Sequence, residues 1–278
     1  AGIDRIARFG AFREILPPNT PQVYHLHDMA GSNALLIDRY GQLAALIEPE
    51  IYVGKKKIIS MSHLRALSSP ILDLLGVRYI LSRRYLPLSL APLAGEVARR
   101  PLHLRLVRDG PMKIYENLDR LPRVFVAPHA EVIPTSGAMR NRLADPGFDP
   151  GKTVLFEEPP PGLSEQEGFG DDSTARIIRY EPTEVEIEAG VQGGGYLVLS
   201  DTWYPGWRAY VDRRPTRIYR VDHALRGIFL PDGRHTVRFV YRPLRFHLGA
   251  AVSIVALALW SLLLWRCGFR ATRGCGTK

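Results

Sequence analysis

Glu184-Val185-Glu186-Ile187-Glu188-Ala189 alternates acidic and apolar residues without a break. A period of two puts Val185, Ile187 and Ala189 on one face and the three glutamates on the other, as in a strand half buried and half wet. The signal continues on both sides. Strand candidates between Ala175 and Tyr241 are 175–180, 184–189, 196–200, 207–211, 216–221, 225–230 and 235–241. Val237, Phe239 and Tyr241 alternate in the same way against Arg238 and Arg242. The breaks carry turn chemistry: Glu181-Pro182, Gly193-Gly194-Gly195, Pro205-Gly206 and Pro231-Asp232-Gly233. Short strands repeating about every 8–12 residues predict an antiparallel β-sandwich, over residues 174–243.

The last strand leads through Arg242-Pro243 into Phe246–Trp265, a stretch without Asp, Glu, Lys or Arg. A helix of that length covers roughly 30 Å, the thickness of a bilayer core. A helix buried in a soluble core is the alternative, but such helices seldom lack a polar face. The expectation is a transmembrane helix at 246–265 with the lipid bilayer as partner, followed by a basic tail at 266–278. Arg242, Arg245, Arg266 and Arg270 flank it as candidate headgroup contacts, and Trp265 suits the interface.

Upstream of the strands the pattern is mixed. Leu16-Pro17-Pro18-Asn19-Thr20-Pro21 is extended or turning, because proline blocks helix there. Asn33–Ile47 has the apolar spacing of a helix docked on one face. Ser69-Pro70 opens a helix as N-cap and first helical residue, Gly76 stops it, and Val77–Leu81 follows as a strand. Leu102–Val107 and Met112–Glu116 form a hairpin about Asp109-Gly110-Pro111, with a further strand at Arg123–Ala127. Residues 157–173 are acidic and rich in Pro and Gly, which marks an exposed loop or a linker. The fold class is therefore α+β: a mixed unit over 1–156, then the sandwich, then one membrane helix.

The chain has 278 residues and a formal net charge of +9. Such a surplus suits nucleic acid, anionic headgroups or a phosphorylated substrate, and the apolar stretch favours the last two. Nucleic-acid binding is disfavoured, since no helix or aromatic-basic sheet motif accompanies the charge. The run Lys55-Lys56-Lys57 reads as a solvated loop. Both cysteines, Cys267 and Cys275, follow the apolar stretch, so the body has neither a disulfide framework nor a cysteine metal site. The N-terminus shows no apolar signal region, so the alternatives are a tail-anchored protein that stays cytoplasmic and a fragment of a longer membrane protein, and the fragment is the expectation.

Asp201-Thr202-Trp203-Tyr204-Pro205-Gly206-Trp207 is the most distinctive local motif. Pro-Gly suits a type II turn. Aromatic faces beside an acid can stack on a sugar and hydrogen-bond it, so Asp201, Trp203, Tyr204 and Trp207 are candidate glycan-binding residues. The alternative is that the rings plug the end of the sandwich. His25, His27 and Asp28 have no third ligand at recognisable spacing, and no metal site is assigned. No nucleophile elbow, phosphate loop or dinucleotide fingerprint occurs, so no catalytic residue and no cofactor is assigned.

Several of these segments resemble the bacterial YfhO-type membrane proteins. They are Leu72–Leu81, Ile114–Asn117 with Leu121-Pro122-Arg123, Leu199–Asp201 through Tyr204–Trp207, Ala224–Gly227 and Val240–Pro243. The resemblance implies the C-terminal extracytoplasmic region and last helix of a multi-spanning glycosyltransferase of the GT-C type. Such enzymes move a sugar from a polyprenyl-phosphate carrier to an acceptor outside the membrane, with their catalytic acid in an early loop that this chain lacks. The partners implied are the upstream transmembrane domain of the same polypeptide and a lipid-linked sugar or envelope glycan. One departure is Asp212-Arg213-Arg214-Pro215, where the family tends to have glycine; an arginine there is expected at positive φ, at a cost of about 1 kcal/mol, unless the turn differs. The competing expectation is a single-pass glycan-binding or structural module.

Overall fold

The computed structural model describes residues 4–10, 15, 20–29, 37–48, 61–90, 102–164, 169–170 and 172–273. The expected segments at 16–19, 33–36 and 55–57 lie outside the described residues, as does Cys275.

The N-terminal unit is one mixed sheet with short helices. Its strands are β1 (Arg5–Phe9), β2 (His27–Asp28), β3 (Val77–Ser82), β4 (Ser89–Leu90), β5 (Leu102–Arg108) and β6 (Lys113–Asn117), in the order β2-β1-β3-β6-β5-β4. Helices α1 (Thr20–Val23), α2 (Asp38–Ala45), α3 (Leu64–Leu67) and α4 (Pro70–Leu74) lie between them in sequence. The start of α4 is as the sequence predicts. The Ser69 hydroxyl accepts from Ile71 N, and Pro70 supplies the fixed φ of the first turn. Gly76 ends it at φ +65, and a Cβ there would lie 3.2 Å from the Leu121 carbonyl oxygen. The predicted hairpin is β5–β6, with Leu106 opposite Tyr115 and a bulge before Arg108.

Next come β7 (Val124–Ala127), β8 (His129–Val132), α5 (Ser136–Leu143) and β9 (Thr153–Phe156). After the acidic stretch follow β10 (Thr174–Glu181), β11 (Glu184–Val191), β12 (Gly195–Thr202), β13 (Trp207–Val211), β14 (Arg214–Thr216), β15 (Tyr219–Val221), β16 (Leu225–Leu230) and β17 (Gly233–Tyr241). They form two sheets. The outer one has the order β10-β11-β17-β13-β14 and the central one the order β7-β12-β16-β15-β9-β8. The apolar alternation of β11 is seen directly: Val185, Ile187 and Ala189 are buried between the sheets, with Phe239, Leu197 and Ile228.

Two findings depart from the simple pattern. The central sheet crosses the 157–173 stretch, because β7, β8 and β9 precede it while β12, β15 and β16 follow it. The described part of that stretch is folded onto the sheet: Phe169 is buried against Tyr196 and Phe229. The second face of the central sheet, with Phe156, Tyr196 and Val198, packs on the N-terminal unit. A sheet covered on both sides needs an unbroken buried run, and β12 is buried from Gly195 to Asp201. The predicted strand 216–221 is in fact two. Thr216 pairs with Ala209 in the outer sheet and Tyr219 with Gly227 in the central one, so the chain changes layers at Arg217-Ile218.

β17 leads into α6 (Leu244–Arg273), 30 residues long. Its described side chains between Leu248 and Leu264 are all exposed to solvent, including Val252, Ile254, Leu257, Trp260 and Leu263. Counted over the described side chains, which leave out those of 245, 247 and 265–273 in α6, no helix is long and apolar enough to cross a membrane.

Candidate functional site

Asp201 stands at the end of β12, where the two sheets and the N-terminal unit meet. It is 6% exposed. Three arginines from three other segments converge on it. Arg123 donates from Nη2 at 2.7 Å and from Nε at 3.1 Å to Oδ1. Arg5 reaches the same oxygen at 3.2 Å, and Arg226 reaches Oδ2 at 3.1 Å. The Tyr180 hydroxyl donates to Oδ2 at 3.1 Å. Burial pushes the Asp201 carboxyl up, but Arg123, Arg226 and Arg5 together outweigh it and hold the group well below the usual carboxylate range. Burial and the neighbouring Asp201 push Tyr180 up to about 12, so its proton stays on the phenol.

The cluster joins layers as well as charges. Arg5, on β1, also donates to the carbonyls of Leu75 and Ser200, tying the N-terminal sheet to the end of β12. Arg226 lies under the Trp207 ring, 3.9 Å from its centroid, and 5.7 Å from that of Phe239. Its Nε and Nη1 face no hydrogen-bond acceptor among the described residues. The aromatic faces are what stabilise that side of the cation.

The motif at 201–207 is thus split by the fold. Asp201 points into the arginine cluster. Trp203 is half-buried with the Arg220 guanidinium 4.4 Å from its ring centroid, and its backbone N–H donates to the Ala224 carbonyl at 2.7 Å. Trp207 is half-buried between Arg226 and the Tyr241 ring. Tyr204 is exposed at the rim. Together the three aromatics line an open groove of about 380 Å³, with Pro205, Tyr210 and Ile218.

The turn itself grips the exit to α6. Gly206 has φ +108, and its carbonyl accepts from Arg242 N at 2.7 Å. A Cβ there would lie 3.0 Å from the Tyr241 ring and 3.2 Å from Pro243 Cα, so only glycine fits. Of the headgroup candidates, Arg242 is exposed beside this turn; the side chains of Arg245, Arg266 and Arg270 lie outside the described residues.

A second polar site has no forerunner in the sequence reading. Asp222 and His223 form the β15–β16 turn, both fully buried and both at positive φ, +46 and +73. Asp222 Oδ1 accepts from Leu155 N at 2.9 Å, while Oδ2 has no partner among the described residues. Burial pushes its carboxyl up to about 7. His223 Nε2 meets Gln42 Oε1 at 2.9 Å, and burial with Arg39, Arg140 and Arg220 lowers the imidazole to about 4. Its only trace in the sequence is the short gap between two strands, the three residues Asp222-His223-Ala224, which leaves room only for a tight hairpin turn. Among the described residues, no group of three or more His, Cys, Asp or Glu could hold a metal ion. Asp28 pairs with Arg8 at 3.0 Å, His25 is exposed, and His27 lies edge-on to Tyr180.

Neither a curated protein nor a solved structure matches the chain. Residues 171–253 match the family model of the bacterial membrane protein YfhO, a segment that runs from before β10 into α6 and includes the Asp201 motif, the Asp222-His223 turn and the Gly206 clamp. Over that segment, which is less than half of its 278 residues, the chain is similar to the YfhO-type bacterial membrane proteins.

Proposed function

We propose that the chain is the C-terminal extracytoplasmic portion of a multi-spanning, glycosyltransferase-like membrane protein, held to the bilayer by α6. One observation carries the reading. The exposed apolar side chains of α6 leave directly from the last strand of the sandwich, and Gly206 clamps that exit. So large an apolar surface in water is costly, and a bilayer removes it. The body then lies outside and residues 266–278 lie in the cytoplasm. Catalysis in this reading belongs to upstream membrane segments of the same polypeptide. The body braces them or positions a glycan acceptor near a lipid-linked sugar. A tag at Lys278 tests the orientation: protection from externally added protease in intact cells is expected, and cleavage overturns it.

A second reading, a non-catalytic carbohydrate-binding module, is favoured by the groove beside Tyr204. Titrating Tyr204→Ala and Trp203→Ala with cell-envelope glycans separates the two. Weakened binding with an unchanged melting curve supports a sugar platform, and unchanged binding removes it.

A further inference from the structure

The end of the body from which α6 departs can be identified contact by contact. Tyr241 N donates to the Thr183 carbonyl at 2.8 Å, which puts the β10–β11 turn on one side of the exit. Arg242 N donates to Gly206, which puts the 203–206 loop on another. Tyr180, just before the β10–β11 turn, holds the His27 ring at 5.3 Å, and Arg5 holds Asp201. The N-terminal ends of β1 and β2 therefore abut the same end, and α1 immediately precedes β2.

Exposed apolar side chains collect there. Around the end of α1, Val23 is 74% exposed, Tyr24 66% and Leu26 41%; in the loop beside the exit Tyr204 is 49% exposed. The α1 tip is a held shape. Pro21 is buried at its base, and its carbonyl accepts from both Tyr24 N and Leu26 N. His25 at φ +55 turns the chain back towards β2. Holding apolar side chains outward on a fixed turn stabilises nothing in the body itself. Tyrosines with an apolar ring and a polar end suit the headgroup layer, and the exposed Arg208 and Arg242 nearby suit its phosphates.

We propose that this end of the body rests on the bilayer surface, with Val23, Tyr24 and Leu26 seated among the headgroups on one side of α6 and Tyr204 on the other. The inference rests on the reading of α6 as the membrane anchor. It fixes the body's tilt: the far end, with the Gly193 and Asp232 turns, points away from the membrane.

The test uses the full chain with Cys267 and Cys275 replaced by serine, in phosphatidylcholine–phosphatidylglycerol vesicles. Single cysteines are introduced as Tyr24→Cys, Tyr204→Cys, Leu257→Cys and Arg234→Cys, each labelled with bimane. Lipids spin-labelled at the headgroup are then added as quencher, and lipids labelled deep in the acyl chain for Leu257→Cys. Quenching at positions 24 and 204 several-fold stronger than at 234 is expected. If position 257 is quenched but 24 and 204 behave like 234, the surface contact is overturned and the anchor reading stands. If position 257 is not reached by the deep quencher, the anchor reading fails and takes this inference with it. Positions 24 and 204 shielded from water yet unquenched by lipid would show a protein covering this end, which also overturns the proposal.

Discussion

Asp201→Asn removes the one carboxylate among three buried guanidiniums while keeping its shape and one accepting oxygen. In the wild type, Arg5, Arg123 and Arg226 lie between 2.7 and 3.2 Å from it. Each such pair is worth about 4 kcal/mol of Coulomb attraction at an effective dielectric near 20. Much of the gross sum is offset by desolvation and by repulsion among the arginines. Losing one partner of a buried pair typically costs about 3–5 kcal/mol, and here the variant leaves three cations repelling one another, so the upper end is expected. Against a total stability of about 5–15 kcal/mol, that is a large fraction. Urea unfolding of the full chain in detergent micelles, followed by tryptophan fluorescence, reads it as a midpoint lower by roughly 2 M at a slope of about 2 kcal/mol per molar. Glu188→Gln is the control, since its partner Arg176 is on the wet face and such pairs contribute less than about 1 kcal/mol. Adding Arg226→Met to Asp201→Asn removes one of the repelling cations, so the double variant should lose less than the two single losses added together. The pH dependence has a definite sign. The Asp201 carboxyl is depressed in the folded state, so its stabilisation is complete above about pH 4 and is lost as pH falls below that. Equal midpoints for Asp201→Asn and Glu188→Gln would refute the idea that this cluster joins the layers.

Three further outcomes follow from the same geometry. Asp222 is raised in the folded state, so it favours folding below about pH 4 and this is lost as pH rises to about 7; Asp222→Asn should raise stability at pH 8 by at most roughly 4 kcal/mol, read as a higher melting temperature, and leave it unchanged at pH 4. His223 has the opposite sign, stabilising above about pH 6.5 and less so as pH falls towards 4, so His223→Gln should flatten the wild-type profile in that window. Gly206→Ala should cost about 1–3 kcal/mol and alter the near-ultraviolet signal of the Trp207–Tyr241 contact, because the added methyl meets Tyr241 and Pro243 at an unfavourable φ. Arg213→Gly should stabilise by about 1 kcal/mol in the same melts, since Arg213 sits at φ +69 with no glycine to relieve it.

Legibility in the sequence followed the number of wet faces. The alternation of β11 and β17 was plain because one face of the outer sheet is in water, and β13 and β16 were bounded by turn residues. β1 was silent. Two of its five residues are arginines, and they are buried only because Asp201 and Asp28 wait for them elsewhere. No local pattern reports a partner that distant. The 201–207 motif shows the same limit. An acid among aromatics reads as a sugar platform until Arg5, Arg123 and Arg226 arrive from other segments and occupy the acid. The acidic stretch at 157–173 read as a boundary because Pro and Gly prevent regular structure, yet Glu157 pairs with Arg39 and Phe169 fills the core. Composition reports a loop, and it does not report what the loop lies on.

The central sheet also sets an order of assembly during synthesis. Val124 on β7 pairs with Leu199, and Phe156 on β9 pairs with Val221, so strands made early stay open-faced until their partners emerge. The outer sheet needs β17 between β11 and β13, and β17 is followed almost at once by α6. A ribosome has therefore begun α6 before the body can close. Closure of the body is a late event, and its aggregation-prone interval is the wait of β7 for β12 and of β9 for β15.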